Sequence, residues 1–101
     1  MYVLVWEFHV RPGAEAAFEE LYGPAGGWVA LFAGSPGYRG TELLRADAAP
    51  GRYLTIDRWE SRRAYEAFRQ GATARYRELD EAGEGLTEAE ALVGEFTTRR
   101  P

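Results

Sequence analysis

The stretch "YLTIDRWESRRAYEAF", residues Tyr53–Phe68, decides the fold. Its first part is rich in β-branched and aromatic residues and predicts a strand from Arg52 to Trp59. Ser61 follows with a hydroxyl that can accept a free backbone N–H, which is typical of a helix N-cap. Behind it, apolar residues recur every three or four positions and predict an amphipathic helix, bent at Gly71: Tyr65, Phe68, Ala72, Tyr76 and Leu79. The stretch is therefore a strand that runs directly into a helix.

The rest of the chain supplies three more strands and one more helix. Strands are predicted at Tyr2–Val10, Tyr38–Arg45 and Leu92–Thr97. A helix is predicted at Ala14–Tyr22; it is broken by "GPAGG" (residues 23–27) and resumes around Trp28, Leu31 and Phe32. "EAGEG" ends the second helix, and "TEAE" (residues 87–90) fits a capping box that predicts one short helical turn.

The order of elements, β-α-β-β-α-β, is that of the ferredoxin-like fold. We expect an α+β domain with a four-stranded antiparallel sheet and two helices on one face. The length of 101 residues suits one domain, which we assign to residues 1–98, with residues 99–101 as a tail.

A sheet covered by helices on one side leaves a second face. Alternation along the first strand puts Tyr2, Leu4, Trp6, Phe8 and Val10 on one face, and Val3, Val5, Glu7 and His9 on the other. A chain of this size has nothing left to cover the apolar residues of the second face, whose exposure costs about 25 cal/mol per Å². We therefore expect a homodimer joined sheet face to sheet face.

Composition restricts the classes of partner and site. The net charge of −4 and the absence of a long basic run argue against nucleic-acid binding. With no cysteine and one histidine, disulfides, thiolate chemistry and a metal site are not expected. The N-terminal apolar stretch meets Pro12-Gly13 too early to cross a membrane, so we expect a cytoplasmic protein.

Three pieces of sequence carry a resemblance to a known family: "EFHVRPG" (residues 7–13), "PGYRGTELLR" (residues 36–45) and "YLTIDRWESRRAYEAF". Together with the element order, they resemble the antibiotic-biosynthesis-monooxygenase family of dimeric α+β barrels. The resemblance implies a pocket in each subunit between the sheet and the helices. It also implies, as in some members, oxidation of quinols or polyketide aromatics by molecular oxygen without a metal or flavin cofactor.

Two groups of members place histidines where this chain has none. In the quinol-oxidising members, histidines fall at the places of Phe68 and, a few residues on, Thr73. In the haem-degrading members, the resemblance aligns an Asn with Trp6, and a Trp and a His with Phe68 and Glu78. The haem route is therefore the last-ranked hypothesis, and no catalytic residue is assigned from the sequence.

Aromatic residues are the candidates for a ligand pocket, since small-molecule sites are largely apolar. We name six of them: Trp6, Phe8, Trp28, Phe32, Phe68 and Tyr76. The competing interpretation is that they form only the core, because aromatic residues at helical spacing usually pack against each other.

The polar candidates are fewer. His9 is expected on the face opposite Phe8, away from a helix-side pocket. Asp57 and Arg58 are interpreted as an edge or interface ion pair, although a substrate base or clamp is the alternative. The same two interpretations, a surface role or a contact to substrate, apply to Arg39 and Tyr38. Trp59 is interpreted as a corner residue that donates its indole N–H to a nearby carbonyl.

Three functional hypotheses follow. The first is a cofactor-independent monooxygenase of a small aromatic or quinol-like substrate. The second is a non-catalytic small-molecule binding protein that uses the same pocket, which the missing histidines favour. Haem binding or degradation is third.

Overall fold

The computed structural model describes residues 1–99, so Arg100 and Pro101 of the expected tail lie outside the described part. It contains strands β1 (Tyr2–Val10), β2 (Tyr38–Arg45), β3 (Arg52–Trp59) and β4 (Thr87–Thr97). The helical segments are α1 (Glu15–Tyr22), α2 (Gly27–Ala33), α3 (Arg62–Gly71) and α4 (Thr73–Glu84). Each predicted helix is therefore a pair of shorter helices.

The strands form one antiparallel sheet in the order β2-β3-β1-β4, which confirms the ferredoxin-like α+β fold. β1 and β3 are central, and Leu4 pairs with Asp57 across them. The inward face of the sheet contributes Tyr2, Leu4 and Phe8 to the same buried core as residues from α1, α2, α3 and α4. This packing places the helices on one face of the sheet.

Local signals set the helix boundaries. The Ser61 hydroxyl accepts a hydrogen bond from the Ala64 backbone N–H at 3.1 Å, which confirms the predicted N-cap of α3. The second helix is interrupted at Ala72, whose φ of −114° and ψ of 35° are not helical, one residue after the bend expected at Gly71.

The helical turn predicted at Thr87–Glu90 is wrong, because these residues open β4. Glu90 pairs with Phe8 and Ala89 with His9 along the full length of β1. A ladder of backbone hydrogen bonds to a long central strand outweighs a capping-box pattern, which contributes only about 1 kcal/mol.

Trp59 is the corner residue that the sequence predicts. Its side chain is fully buried, and its ring lies 5.2–5.7 Å from the rings of Phe32, Tyr38, Tyr65 and Phe68. The expected hydrogen bond is not formed, since no acceptor in residues 1–99 pairs with its indole N–H. Trp59 thus joins β3 to α3 by packing alone.

Within residues 1–99, no helix is both long and apolar enough to cross a membrane.

Candidate active site between the sheet and the helices

A cavity lies between the inward face of the sheet and the helices. It has about 620 Å³ of empty space, including its open mouth. Five of the six aromatic residues named from the sequence line it: Trp6, Phe8, Trp28, Phe32 and Tyr76. Its remaining walls are Leu4, Tyr22, Thr41, Thr55, Asp57, Tyr65, Asp80 and Glu90. A mostly aromatic lining with a few polar groups is typical of a small-molecule site.

Phe68 is the sixth aromatic candidate, and the structure places it elsewhere. Its side chain is 4% exposed, and its ring centroid lies 5.2 Å from those of Phe32 and Trp59. Phe68 does not line the cavity, because its side chain faces the core behind Phe32 and Trp59. It borders instead a surface groove with Leu31 and Ala72.

Asp57 is the most deeply buried carboxylate of the cavity lining. It is 7% exposed and accepts a hydrogen bond from the Thr41 hydroxyl at 2.7 Å. The Tyr38 hydroxyl lies 2.7 Å from the same Thr41 oxygen, so Tyr38 donates to Thr41 when Thr41 donates to Asp57. Burial raises the pKa of Asp57 from its ordinary 3.8 to about 6, and the hydrogen bond from Thr41 opposes part of this rise.

Asp57 therefore belongs to no ion pair within residues 1–99, contrary to the sequence interpretation, whereas Arg58 does form one on the sheet surface. Arg58 lies on the outer face, 2.6 Å from Glu42. A signal in the sequence could have separated the two residues. In a strand, residues two apart share a face, so Asp57 lies on the same face as Tyr53, Thr55 and Trp59.

The other polar candidates lie outside the cavity lining. His9 is about half exposed on the outer face, 3.7 Å from a Glu7 carboxylate oxygen, as expected from the strand alternation. Arg39 pairs with Glu60 at 3.2 Å on the surface. Tyr38 does not line the cavity, but it contacts two lining residues, Thr41 through its hydroxyl and Phe32 through its ring. Within residues 1–99, no three His, Cys, Asp or Glu side chains converge as metal ligands would.

A second polar region lies near the cavity mouth. Asp80 of α4 and Glu90 of β4 form it, and we call this pair the acidic rim. Burial, and then the Asp80 and Glu84 charges, raise the pKa of Glu90. Tyr22, Tyr65 and Tyr76 also line the cavity, and burial raises the pKa of each phenol, which keeps all three protonated.

Comparison with known proteins identifies the family. A family model described as antibiotic biosynthesis monooxygenase matches residues 1–85. The chain belongs to this family. At that level its function is monooxygenase-like, and the family assignment does not specify a substrate. Among curated proteins, no sequence matches.

Solved structures share the fold. The crystal structure of SnoaB, a cofactor-independent oxygenase from Streptomyces nogalater, is 27% identical in sequence, with a TM-score of 0.80. The alignment covers 99% of this chain and 94% of that one. A Caulobacter crescentus protein is 19% identical with a TM-score of 0.80, covering 98% and 90% of the two chains. A Mycobacterium tuberculosis protein is 19% identical with a TM-score of 0.72, covering 99% and 96%. The last two show the fold alone.

Proposed function

We propose that this protein is a cofactor-independent monooxygenase that oxidises a small phenolic or quinol-like aromatic with molecular oxygen. One observation carries the proposal: a single deeply buried carboxylate, Asp57, lies in a cavity whose walls are otherwise largely aromatic. Its pKa of about 6 keeps it mostly ionised at neutral pH and still close to the working pH of a general base.

In the proposed reaction, Asp57 takes a proton from an activated C–H of the aromatic substrate, as in an anthrone. The substrate carbanion transfers one electron to O₂, and the resulting radical and superoxide combine to form a C–O bond. The peroxide takes the proton back from Asp57. Loss of water from the hydroperoxide, with the second hydrogen of that carbon, gives a ketone. One oxygen atom enters the product and the other leaves as water.

The surrounding residues support this chemistry in two ways. Aromatic walls exclude water, which keeps the carboxylate a stronger base and the substrate anion poorly solvated. The hydrogen bonds from Tyr38 to Thr41 and from Thr41 to Asp57 hold the carboxylate in one orientation. Thr41 is thus a positioning residue, and Asp57 is the proposed catalytic residue.

Oxygen uptake tests the proposal. The substrates form a panel of reduced quinols and anthrones. We expect the purified protein, with a chelator and no added flavin, to consume oxygen with a member of this panel. One ¹⁸O atom from labelled oxygen gas should enter the product. Asp57→Asn should lower kcat at least a hundredfold. Asp47→Asn, at an exposed acid outside the cavity, is the matched control and should retain the activity. Uptake that persists in Asp57→Asn would remove Asp57 as the base.

A non-catalytic binding protein is the second candidate. It is favoured by Phe68 and Thr73, which occupy the places where the quinol-oxidising relatives carry histidines. Tight anaerobic binding of the same aromatics, without oxygen uptake across the panel, would establish it. Haem binding stays third, because no histidine is among the described residues that line the cavity. We therefore expect no shift of the haem Soret band when the protein is titrated with haem.

We also propose a homodimer joined through the outer face of the sheet. That face carries partly exposed apolar residues from all four strands: Val3, Val5, Leu44, Leu54, Ile56 and Phe96. Ion pairs flank them, Glu7 with Arg52 at 2.5 Å and Glu42 with Arg58 at 2.6 Å. An apolar centre with a charged border is the composition of a protein interface.

A further inference from the structure

The charge of the cavity lining points to a class of substrate. Three carboxylates line the cavity, from Asp57, Asp80 and Glu90, and among the lining residues that the structure describes none is basic. A ligand that carries its own carboxylate would meet like charge without a cation to balance it.

The carboxylates stand at two separate places. Asp57 pairs with Leu4 on one side of β1, and Glu90 pairs with Phe8 on the other side. Leu4 and Phe8 are four residues apart, which is about 13 Å along a strand. Asp80 belongs to the Glu90 end, since its charge acts on the Glu90 carboxyl. Glu90 is exposed and Asp80 is partly buried, so the acidic rim lies at the solvent side of the cavity, whereas Asp57 is buried inside.

A second observation is a buried hydrogen-bond donor, the indole N–H of Trp28, which a ligand oxygen could satisfy. Trp28 lines the same cavity and is 8% exposed. Its buried Nε1–H lies beside the Tyr22 hydroxyl but forms no well-aligned hydrogen bond with it or with another acceptor in the described part of the chain. A buried donor without a well-aligned acceptor destabilises the unliganded protein, and a ligand oxygen that accepts from it would offset this cost.

We propose that the cavity takes an uncharged aromatic with a hydrogen-bond acceptor oxygen and rejects carboxylate-bearing analogues, with Asp80 and Glu90 as the specificity-determining residues. This inference rests on the proposed function and narrows its substrate class. The basic residue Arg69 contacts two lining residues: it stacks over the Tyr76 ring at 4.2 Å from its centroid, and its guanidinium lies beside the Tyr65 hydroxyl. Arg69 is exposed and does not itself line the cavity, so water screens its charge.

A matched pair of probes tests the inference: 1,4-dihydroxy-2-naphthoic acid and its methyl ester, measured by titration calorimetry under nitrogen at pH 8. The ester carries the same ring and the same acceptor oxygens without the charge. We expect the parent protein to bind the ester at least tenfold more tightly than the acid at low salt. Added salt should narrow this difference, because the rim is open to solvent.

Two double variants distinguish the effect of the acidic rim from the effect of the protein's net charge. Asp80→Asn with Glu90→Gln should reduce the difference to about twofold by strengthening acid binding. Glu20→Gln with Glu81→Gln removes two exposed carboxylates outside the cavity and should leave the difference unchanged. Trp28→Phe keeps an aromatic ring, removes the donor and should weaken ester binding about fivefold.

The outcomes distinguish this inference from the proposed function. Equal binding of acid and ester by the parent protein, with oxygen uptake intact, would overturn the inference alone. A difference that survives in the rim double variant would remove Asp80 and Glu90 as its cause. Failure of both probes to bind, with no oxygen uptake across the panel, would overturn the proposed function and the inference with it.

Discussion

Asp57 is a residue that the fold retains at a cost. Because its pKa in the folded chain lies above the ordinary 3.8, folding favours the protonated form. The contribution of Asp57 to the stability of the protein should therefore be most favourable below about pH 4 and should become less favourable as the pH rises from about 4 to about 6. The shift corresponds to roughly 2–3 kcal/mol, on the order of a quarter of the stability of a small domain.

Asp57→Asn should therefore raise the free energy of unfolding by roughly 2–3 kcal/mol at pH 7.5 and by much less at pH 4, while activity falls. The Asn oxygen can still accept the hydrogen bond from Thr41, so the packing is retained. Urea denaturation of parent and variant at both pH values measures the difference. Asp47→Asn controls for the loss of an acid at the surface. A variant that is less stable than the parent at pH 7.5 would contradict the burial cost.

Phe68 and Phe32 form a matched pair in one aromatic cluster, with ring centroids 5.2 Å apart, but only Phe32 lines the cavity. Either residue changed to Leu should cost about 1–2 kcal/mol of stability. Phe32→Leu should also weaken aromatic ligand binding about fivefold, whereas Phe68→Leu should leave affinity within twofold. Calorimetric titration of the folded variants measures this. Equal loss of affinity in both would mean that Phe68 contacts the ligand.

The sequence predicts the aromatic walls better than the polar group among them. Trp6 and Phe8 follow from strand alternation, and Trp28, Phe32 and Tyr76 from helical spacing, both of which are local patterns. The sequence favours an ion pair for Asp57 over a base in the pocket, because a charged residue near a strand end usually faces solvent. Its burial depends on the helices that cover β3, and its partner Thr41 is distant in sequence, so no local pattern reveals the contact.

At the scale of elements, the boundaries of β1, β2 and β3 agree with the prediction, because each strand is bounded by Gly, Pro or charged turn residues. β4 begins five residues earlier than predicted. Its residues 87–91 contain three polar side chains and two alanines, a composition that does not suggest a strand. Only pairing with β1, from the other end of the chain, makes it one.

Two helix glycines give opposite predictions at this scale. A Cβ on Gly71, at the end of α3, would meet open space, so Gly71→Ala should stabilise the chain by about 0.5–1 kcal/mol. A Cβ on Gly83, near the end of α4, would collide with the Tyr22 hydroxyl. Gly83→Ala should therefore cost about 1–3 kcal/mol and, since Tyr22 lines the cavity, weaken ligand binding as well. Denaturant titration compares the two; a stabilising Gly83→Ala would contradict the close contact.

For the whole molecule, element order alone predicts the sheet topology, because few antiparallel arrangements satisfy β-α-β-β-α-β with short connections. The same topology leaves the outer sheet face uncovered, with Phe96 50% exposed beside Gly94. Burying that face between two copies would remove the apolar side chains of four strands from water, a gain that this small core cannot supply alone.

Phe96→Glu tests that arrangement, because its ring already contacts solvent in the single chain and its loss should cost the fold little. We expect the parent protein to show twice the 11.3 kDa chain mass by light scattering at micromolar concentration, and the variant to shift toward one chain mass. Two carboxylates brought together in a symmetric interface repel each other and lose water without a partner. Ala82→Glu adds the same charge on exposed α4 and should stay dimeric. A dimer that tolerates Phe96→Glu would have to use another surface.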